Sequence, residues 1–420
     1  MKRVNTWRSA ALAALACGSA LSMASSAQAA AVTFTLVDTG GAGAGTQAYY
    51  GFAAATNYWS SVLTAAQPTN IVLNIGFKPL GPNILGSTGS TFDSKAVQSI
   101  YTRLAARQGG AFDAQAVANL SPLSPGALGV GALSMYTPGY TDPAAKTGID
   151  NTTKVYDTDG SFNNSVIGLT RANAKALGYT YSDGKADASI TFSSNFQFDF
   201  NATDGITAGQ SDFLGVAIHE IGHALGFVSG VDDYDVLGTG GPLADSTACG
   251  VAGGCKNYPA NDDWFGETLD LFRYSAPGAL DWTTKTASYF SIDGGASSVF
   301  NNGLFSTGDY NGDGWQASHW KAPQNDAGNF TCAKPFEGVM NPYLCGGTNG
   351  VITGEDLAAF DAIGWNLAAG VGGAGYSFST RNIVTPVPEP ATWAMMIAGF
   401  GLAGAGLRVR SRKNSVQALA

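Results

Sequence analysis

The chain has 420 residues, 45% of them hydrophobic and only 13% charged, with a formal charge of −9. That length buries a sizeable core and that apolar content excludes a disordered chain. The basic residues of the two ends (Lys2, Arg3 and Arg8; Arg408, Arg410, Arg412 and Lys413) have no acids beside them, so the body between is more acidic still, near −16. A body of that sign excludes nucleic acid as a partner.

The first 29 residues read as a secretory signal peptide: basic residues, an apolar run at 10–21 too short to span a bilayer, then Ala27-Gln28-Ala29 as a small-residue cleavage site. Beyond it a strand is predicted at 32–37, a helix at 49–63 and a second strand at 70–77. A helix follows at 94–107, where Val97, Ile100, Leu104 and Ala105 recur at helical spacing, and a short one at 172–177. Over 188–200, Ile190, Phe192, Phe196, Phe198 and Phe200 share a parity, which predicts a half-buried strand pair or hairpin. Apolar residues cover most faces of a helix predicted at 211–227. After Phe227 glycine, asparagine and aspartate dominate and helices become scarce, until one returns at 355–367 with Thr353 as its cap. The chain therefore divides into a first subdomain at 30–228, a second at 229–370, a Gly/Pro linker at 371–387 and an end segment at 388–413. The fold class is α+β.

Four of the five cysteines remain once Cys17 leaves with the leader, an even number that in an exported protein predicts two disulfides. The local pairing is Cys249–Cys255 and Cys332–Cys345. Zinc binding by these cysteines needs tighter spacings than the sequence offers.

Only three histidines occur, and two of them bracket a glutamate in His219-Glu220-Ile221-Gly222-His223. Histidines four apart lie on one helix face, so both imidazoles reach one ion. Glu220 lies close enough to handle the proton of a zinc-activated water. The alternative is a satisfied pair of core histidines. A catalytic zinc takes three protein ligands, and the one histidine left is His319, with Asp232 or Asp233 as the rival third ligand. Asp309, Asn311 and Asp313, followed by Gly314, alternate like the start of a calcium loop, and Asp157–Gly160 does so more weakly. The last liganding position of an EF-hand falls on Trp320, so any calcium site here is a looser one; otherwise the run is a polar turn.

Several of these residues carry a resemblance. Gly226 sits three residues after His223, as in the zinc helix of metzincin peptidases, but Ser229 stands where their third histidine usually falls. His319-Trp320 and Val339-Met340-Asn341-Pro342 instead resemble the leishmanolysin-type variant, with its long insertion before the third histidine and a methionine turn downstream; the helix around 358–365 fits the one that closes such folds. The resemblance implies a metzincin-like zincin fold, zinc on His219, His223 and His319, and Glu220 as general base. It also implies Met340 as an apolar floor, which on sequence alone is as readily an ordinary core methionine, and Tyr343 as a possible oxyanion donor. At the far end, Val387-Pro388-Glu389-Pro390, an apolar span at 392–407 and the closing basic cluster resemble the PEP-CTERM sorting signal of Gram-negative bacteria. This implies an exosortase-type processing enzyme as partner, transient membrane association through the segment, and delivery to the outer surface or extracellular matrix. A plain transmembrane helix at 392–407 is the alternative, short for a bilayer.

The expected activity is that of a secreted zinc endopeptidase acting on protein or peptide, with the edge of the Ile190–Phe200 sheet as the surface an extended substrate joins, or else plain sheet core as the role of its apolar residues. The alternative is a non-catalytic matrix or surface protein, stabilised by zinc or calcium on the same fold.

Overall fold

The computed structural model describes residues 30–65 and 67–385. Its centre is a six-stranded sheet. Strand β1 (Ala30–Asp38) leads into helix α1 (Gln47–Val62), which Thr46 caps by accepting the Tyr49 N–H, and β2 (Leu63–Ala65) and β3 (Thr69–Lys78) follow. Strand β4 (Gly86–Ser90) comes next in the chain. The spatial order is 366–367, β2, β1, β3, 188–193 and β4. β1 and β3 are parallel, with Phe34 beside Ile71; Ala188–Ser193 is parallel to β3, with Ile190 beside Ile75. β4 closes the order as an antiparallel edge, its Thr88 opposite Ile190.

The helix Phe213–Leu225 lies on this sheet against α1 and β4. Asp212 caps it, one carboxylate oxygen accepting the Leu214 N–H at 3.0 Å and the other the Gly350 N–H at 2.9 Å and the Thr380 hydroxyl at 2.6 Å. α1 comes so close that a Cβ at Gly51 would stand 2.3 Å from the Phe213 ring. Phe52, Phe192, Phe198 and Phe200 gather round that ring, and the Trp59 indole donates to the Ile218 carbonyl at 3.1 Å. Fully burying each such side chain contributes about 1.5–3 kcal/mol. The helix is thereby a rigid platform for whatever its residues carry.

The fold is mixed α+β, with eight α-helices among the described residues. The expected elements are present with two corrections. The 188–200 stretch is not a hairpin: Ala188–Ser193 is an inner strand, and Phe198–Asp199 pairs in parallel with Ser211–Asp212 at the start of the helix. An apolar side chain at every second position serves a strand flanked on both sides as well as it serves a hairpin. The edge that sequence places within 188–200 accordingly belongs to β4. Up to residue 385 the stretch read as a Gly/Pro linker is also structured, since Ser377–Ser379 pairs with Val351–Thr353 and buried Thr380 and Thr385 follow. Its hydrogen bonds to Asp212, the Phe200 carbonyl and the Thr203 carbonyl strap it to the body. Asn366–Leu367 joins β2, and one hydrophobic core runs through both expected subdomains. Both expected disulfides are formed, Cys249 with Cys255 and Cys332 with Cys345. The signal peptide and the 388–413 segment lie outside the described residues.

Candidate metal centre

His219 and His223 project from one face of the helix, and His319 arrives from the loop-rich half. Among the described residues these form the one group of His, Cys, Asp and Glu side chains gathered closely enough for a metal ion. The three Nε2 atoms stand 3.0, 3.2 and 3.3 Å apart. A tetrahedral ion with bonds of about 2.0–2.1 Å needs nitrogens about 3.3–3.4 Å apart, so the triangle fits one to within a few tenths of an ångström.

The opposite ring nitrogens decide the protonation. Nδ1 of His219 faces the Val339 carbonyl at 2.7 Å, that of His223 the Phe227 carbonyl at 2.7 Å, and that of His319 the Gln316 carbonyl at 3.2 Å. A carbonyl only accepts, so each Nδ1 carries the hydrogen and each Nε2 presents a lone pair. Three lone pairs turned on one point repel unless a cation lies between them. Adding protons is costly as well: burial pushes His219 down to about 4, burial and the neighbouring His219 push His223 down to about 3, and His319 lies well below the usual histidine range. All-imidazole donors select a divalent transition metal over calcium or magnesium, which prefer oxygen.

Each carbonyl is placed by local structure. Gly226 ends the helix at φ +118°, a conformation that favours glycine, and a Cβ there would lie 3.0 Å from both Asn173 and Ile363. The chain then turns so that the Phe227 N–H returns to the Gly222 carbonyl at 3.1 Å while its own carbonyl meets His223. Met340 is fully buried beneath the helix, its sulfur only 2.4 Å from where a Cβ at Gly222 would stand. Met340 thus floors the helix turn between the two histidines, and Gly222 is the glycine that admits it.

Asp356 ties this floor to the third histidine. Fully buried, it accepts from the Val339 N–H (2.8 Å), the Met340 N–H (3.2 Å), the Thr353 N–H (2.8 Å) and the Trp320 indole (2.8 Å). Its carboxyl is pushed up to about 6 by burial, against which these four donors act. Asp232 is not a ligand. It accepts from the Ala317 N–H at 2.6 Å, the Ser318 N–H at 3.1 Å and the Ser318 hydroxyl, and so shapes the loop before His319. Asp233, beside it, is not in the histidine group either. Ser229, at the position of the usual third histidine, donates its N–H to the Ser318 hydroxyl at 2.9 Å and its own hydroxyl to Asp270 at 2.6 Å. Arg273, paired with Asp270 at 3.0 Å, donates to the Ala317 carbonyl at 2.6 Å. Only the Thr353–Asp356 capping spacing was open to sequence reasoning; the remaining partners of Asp356, and those of Asp232, are distant in the chain.

Glu220, 6% exposed, turns to the edge strand instead of the core. Its Oε2 accepts from the Thr88 hydroxyl at 2.7 Å, and its Oε1 lies where a Cβ at Gly86 would approach to 2.8 Å. Burial pushes its carboxyl up to about 7, with the Thr88 hydroxyl acting the other way. Tyr343 is 45% exposed, and its ring partners are Phe330 and Trp315, not a histidine. The Asp309–Asp313 loop is knitted by protein groups. Asp235 accepts from the Tyr310 N–H at 2.9 Å, the Asn311 N–H at 2.8 Å and the Asn311 side-chain amide at 3.0 Å, while Asp313 accepts from the Thr307 N–H at 3.1 Å. These bonds hold the loop as a polar turn. Asp157 and Asp159 are likewise bonded to protein, to Asn163 and Lys146.

What fold and site define is a mixed α+β protein with a three-histidine candidate metal centre and an adjoining buried carboxylate. Comparison with known proteins adds its address: residues 386–413 match the PEP-CTERM protein-sorting motif. This motif marks an exported protein of the Gram-negative cell surface, recognised by an exosortase-type processing enzyme. No curated protein and no solved structure matches the chain. Among the described residues no helix is long and apolar enough to cross a membrane, and the apolar span at 392–407 lies outside them.

Proposed function

We propose that the protein is an exported zinc-dependent endopeptidase with a metzincin-like fold. The observation that carries this reading is the convergence of three lone-pair imidazoles, from positions 219, 223 and 319, beside a buried carboxylate that takes no part in the triangle. A purely structural metal site has no use for an unliganded glutamate at its side. Zinc held by His219, His223 and His319 supplies a Lewis acid that polarises a carbonyl and acidifies water. Glu220 accepts the proton of the attacking water and passes it to the departing amine. Burial that brings its carboxyl near 7 suits it to trade a proton in both directions around neutrality. The edge of β4 is where an extended peptide joins the sheet, its main chain held by strand hydrogen bonds next to Glu220.

The test is Glu220→Gln beside His319→Ala. The first should keep zinc bound while peptide hydrolysis falls by about 10²–10⁴-fold; the second should lose most of the zinc. A Glu220→Gln variant that cleaves as fast as the parent refutes the reading. A parent that binds zinc yet cleaves nothing in proteome-wide cleavage profiling returns the protein to the matrix class.

A further inference from the structure

The edge strand does more than offer an edge. β4 reads Gly-Ser-Thr-Gly-Ser, with the smallest and least apolar side chains of any strand in the central sheet, and it lies directly on the helix that carries the histidines. Alternation turns Gly86, Thr88 and Ser90 to one face and Ser87 and Gly89 to the other; the second pair is exposed. The inward face meets Glu220. Gly86 supplies room, because any Cβ there would stand 2.8 Å from Glu220 Oε1 and 3.1 Å from Val216. Thr88 supplies a hydroxyl, 2.7 Å from Glu220 Oε2 and 2.9 Å from the Glu220 carbonyl. Its single proton goes to the carboxylate, the stronger acceptor.

We propose that Thr88 is the positioning residue of Glu220, holding the carboxylate by Oε2 so that Oε1 keeps both lone pairs for the proton it handles. This rests on the endopeptidase reading for its catalytic consequence, though not for its geometry. The carboxylate is thereby fixed to the same strand that the substrate joins, so base and peptide share one frame. A glutamate side chain has three rotatable bonds, and a buried one without a partner either rotates away or loses its charge. Thr88 prevents the first. Gly86 keeps the pocket wide enough for the carboxylate to lie flat against the strand. No sequence motif contains either residue, since 132 positions separate Thr88 from Glu220.

Two variants of the full chain test this. Thr88→Val replaces the hydroxyl by a methyl of the same size, and Thr88→Ser keeps the hydroxyl. On any peptide that the parent cleaves, Thr88→Val should lower kcat by about 10- to 100-fold at unchanged KM and unchanged zinc content, the loss expected for one hydrogen bond to a charged group. Thr88→Ser should recover to within about threefold of the parent. Crystal structures of the metal-free variants supply a readout that needs no activity: the Glu220 carboxylate should leave Gly86 in the valine variant and stay in the serine variant. A valine variant with parental kcat, or one whose Glu220 carboxylate has not moved, overturns the assignment. A parent that cleaves no peptide counts against the endopeptidase reading, and the crystallographic comparison still decides the role of Thr88.

Discussion

Removing Asp356 should damage the metal centre from a distance, and the structure allows the damage to be sized. Asp356→Ala takes one acceptor away from the Val339, Met340 and Thr353 N–H groups and from the Trp320 indole. Three of these donors belong to the segments that form the floor and carry His319, and the fourth belongs to the cap of the helix Gly354–Ala362. Each buried donor left unpaired costs about 1–3 kcal/mol, and the lost Asp356 half of the capping box about 1 kcal/mol. Two things reduce the sum. The carboxylate's own burial, which pushes it up to about 6, is relieved, and the four losses share one relaxation of the loop. A net destabilisation of about 3–5 kcal/mol results, at the upper end for a single substitution. The Val339 carbonyl that orients His219 shares a rigid peptide plane with the Met340 N–H released from Asp356, so zinc affinity should fall by about 10- to 100-fold. Urea denaturation of the metal-free protein measures the first effect and competition with a zinc chelator the second. A variant that unfolds within 1 kcal/mol of the parent and binds zinc equally well refutes the view of Asp356 as the link between floor and third ligand.

Two further outcomes follow from the same geometry. Thr380→Val removes the 2.6 Å bond by which the strap after Ser379 reaches the cap of the metal helix, so unfolding by urea should come about 1.5–3 kcal/mol sooner while zinc stoichiometry holds. An unchanged midpoint would show the strap to be idle. Protons and metal compete for the same three Nε2 atoms, and burial depresses His219 to about 4 and His223 to about 3, so the folded chain keeps neutral ligands well below the ordinary histidine value of about 6.5. Bound zinc should therefore persist well below the ordinary histidine value; half-release near about 6.5 in a zinc-retention titration would contradict that.

How legible the site is depends on the reach of each contact. The two helix ligands and Glu220 share one turn, and their relation is set by helical geometry as soon as the apolar pattern at 211–227 identifies a helix. Gly226 as the helix end belongs to the same local chemistry. His319 was reachable by elimination, because a chain with three histidines offers no other imidazole. Tyr343 and the Asp309–Asp313 loop illustrate the limit. Their spacings resemble functional ones, but spacing along a loop does not fix where side chains point, and an aromatic neighbour or an Asp235 decides instead.

By itself the sequence determined the PEP-CTERM sorting segment, the two local disulfides, the helix with its paired imidazoles and the mixed class of the fold, all of which rest on contacts within a few residues or on composition. Tertiary structure alone decided that β4 and not the 188–200 stretch forms the edge, since alternating apolar residues suit an inner strand and a hairpin equally. It alone decided that Asp232 shapes a loop where a ligand seemed available, and that the expected linker is a strap on the metal helix. It alone brought Thr88 to Glu220 and Asp356 to the methionine floor. These are pairings between buried polar groups far apart in the chain, and which donor meets which carboxylate is settled only when the sheet and the helix have packed.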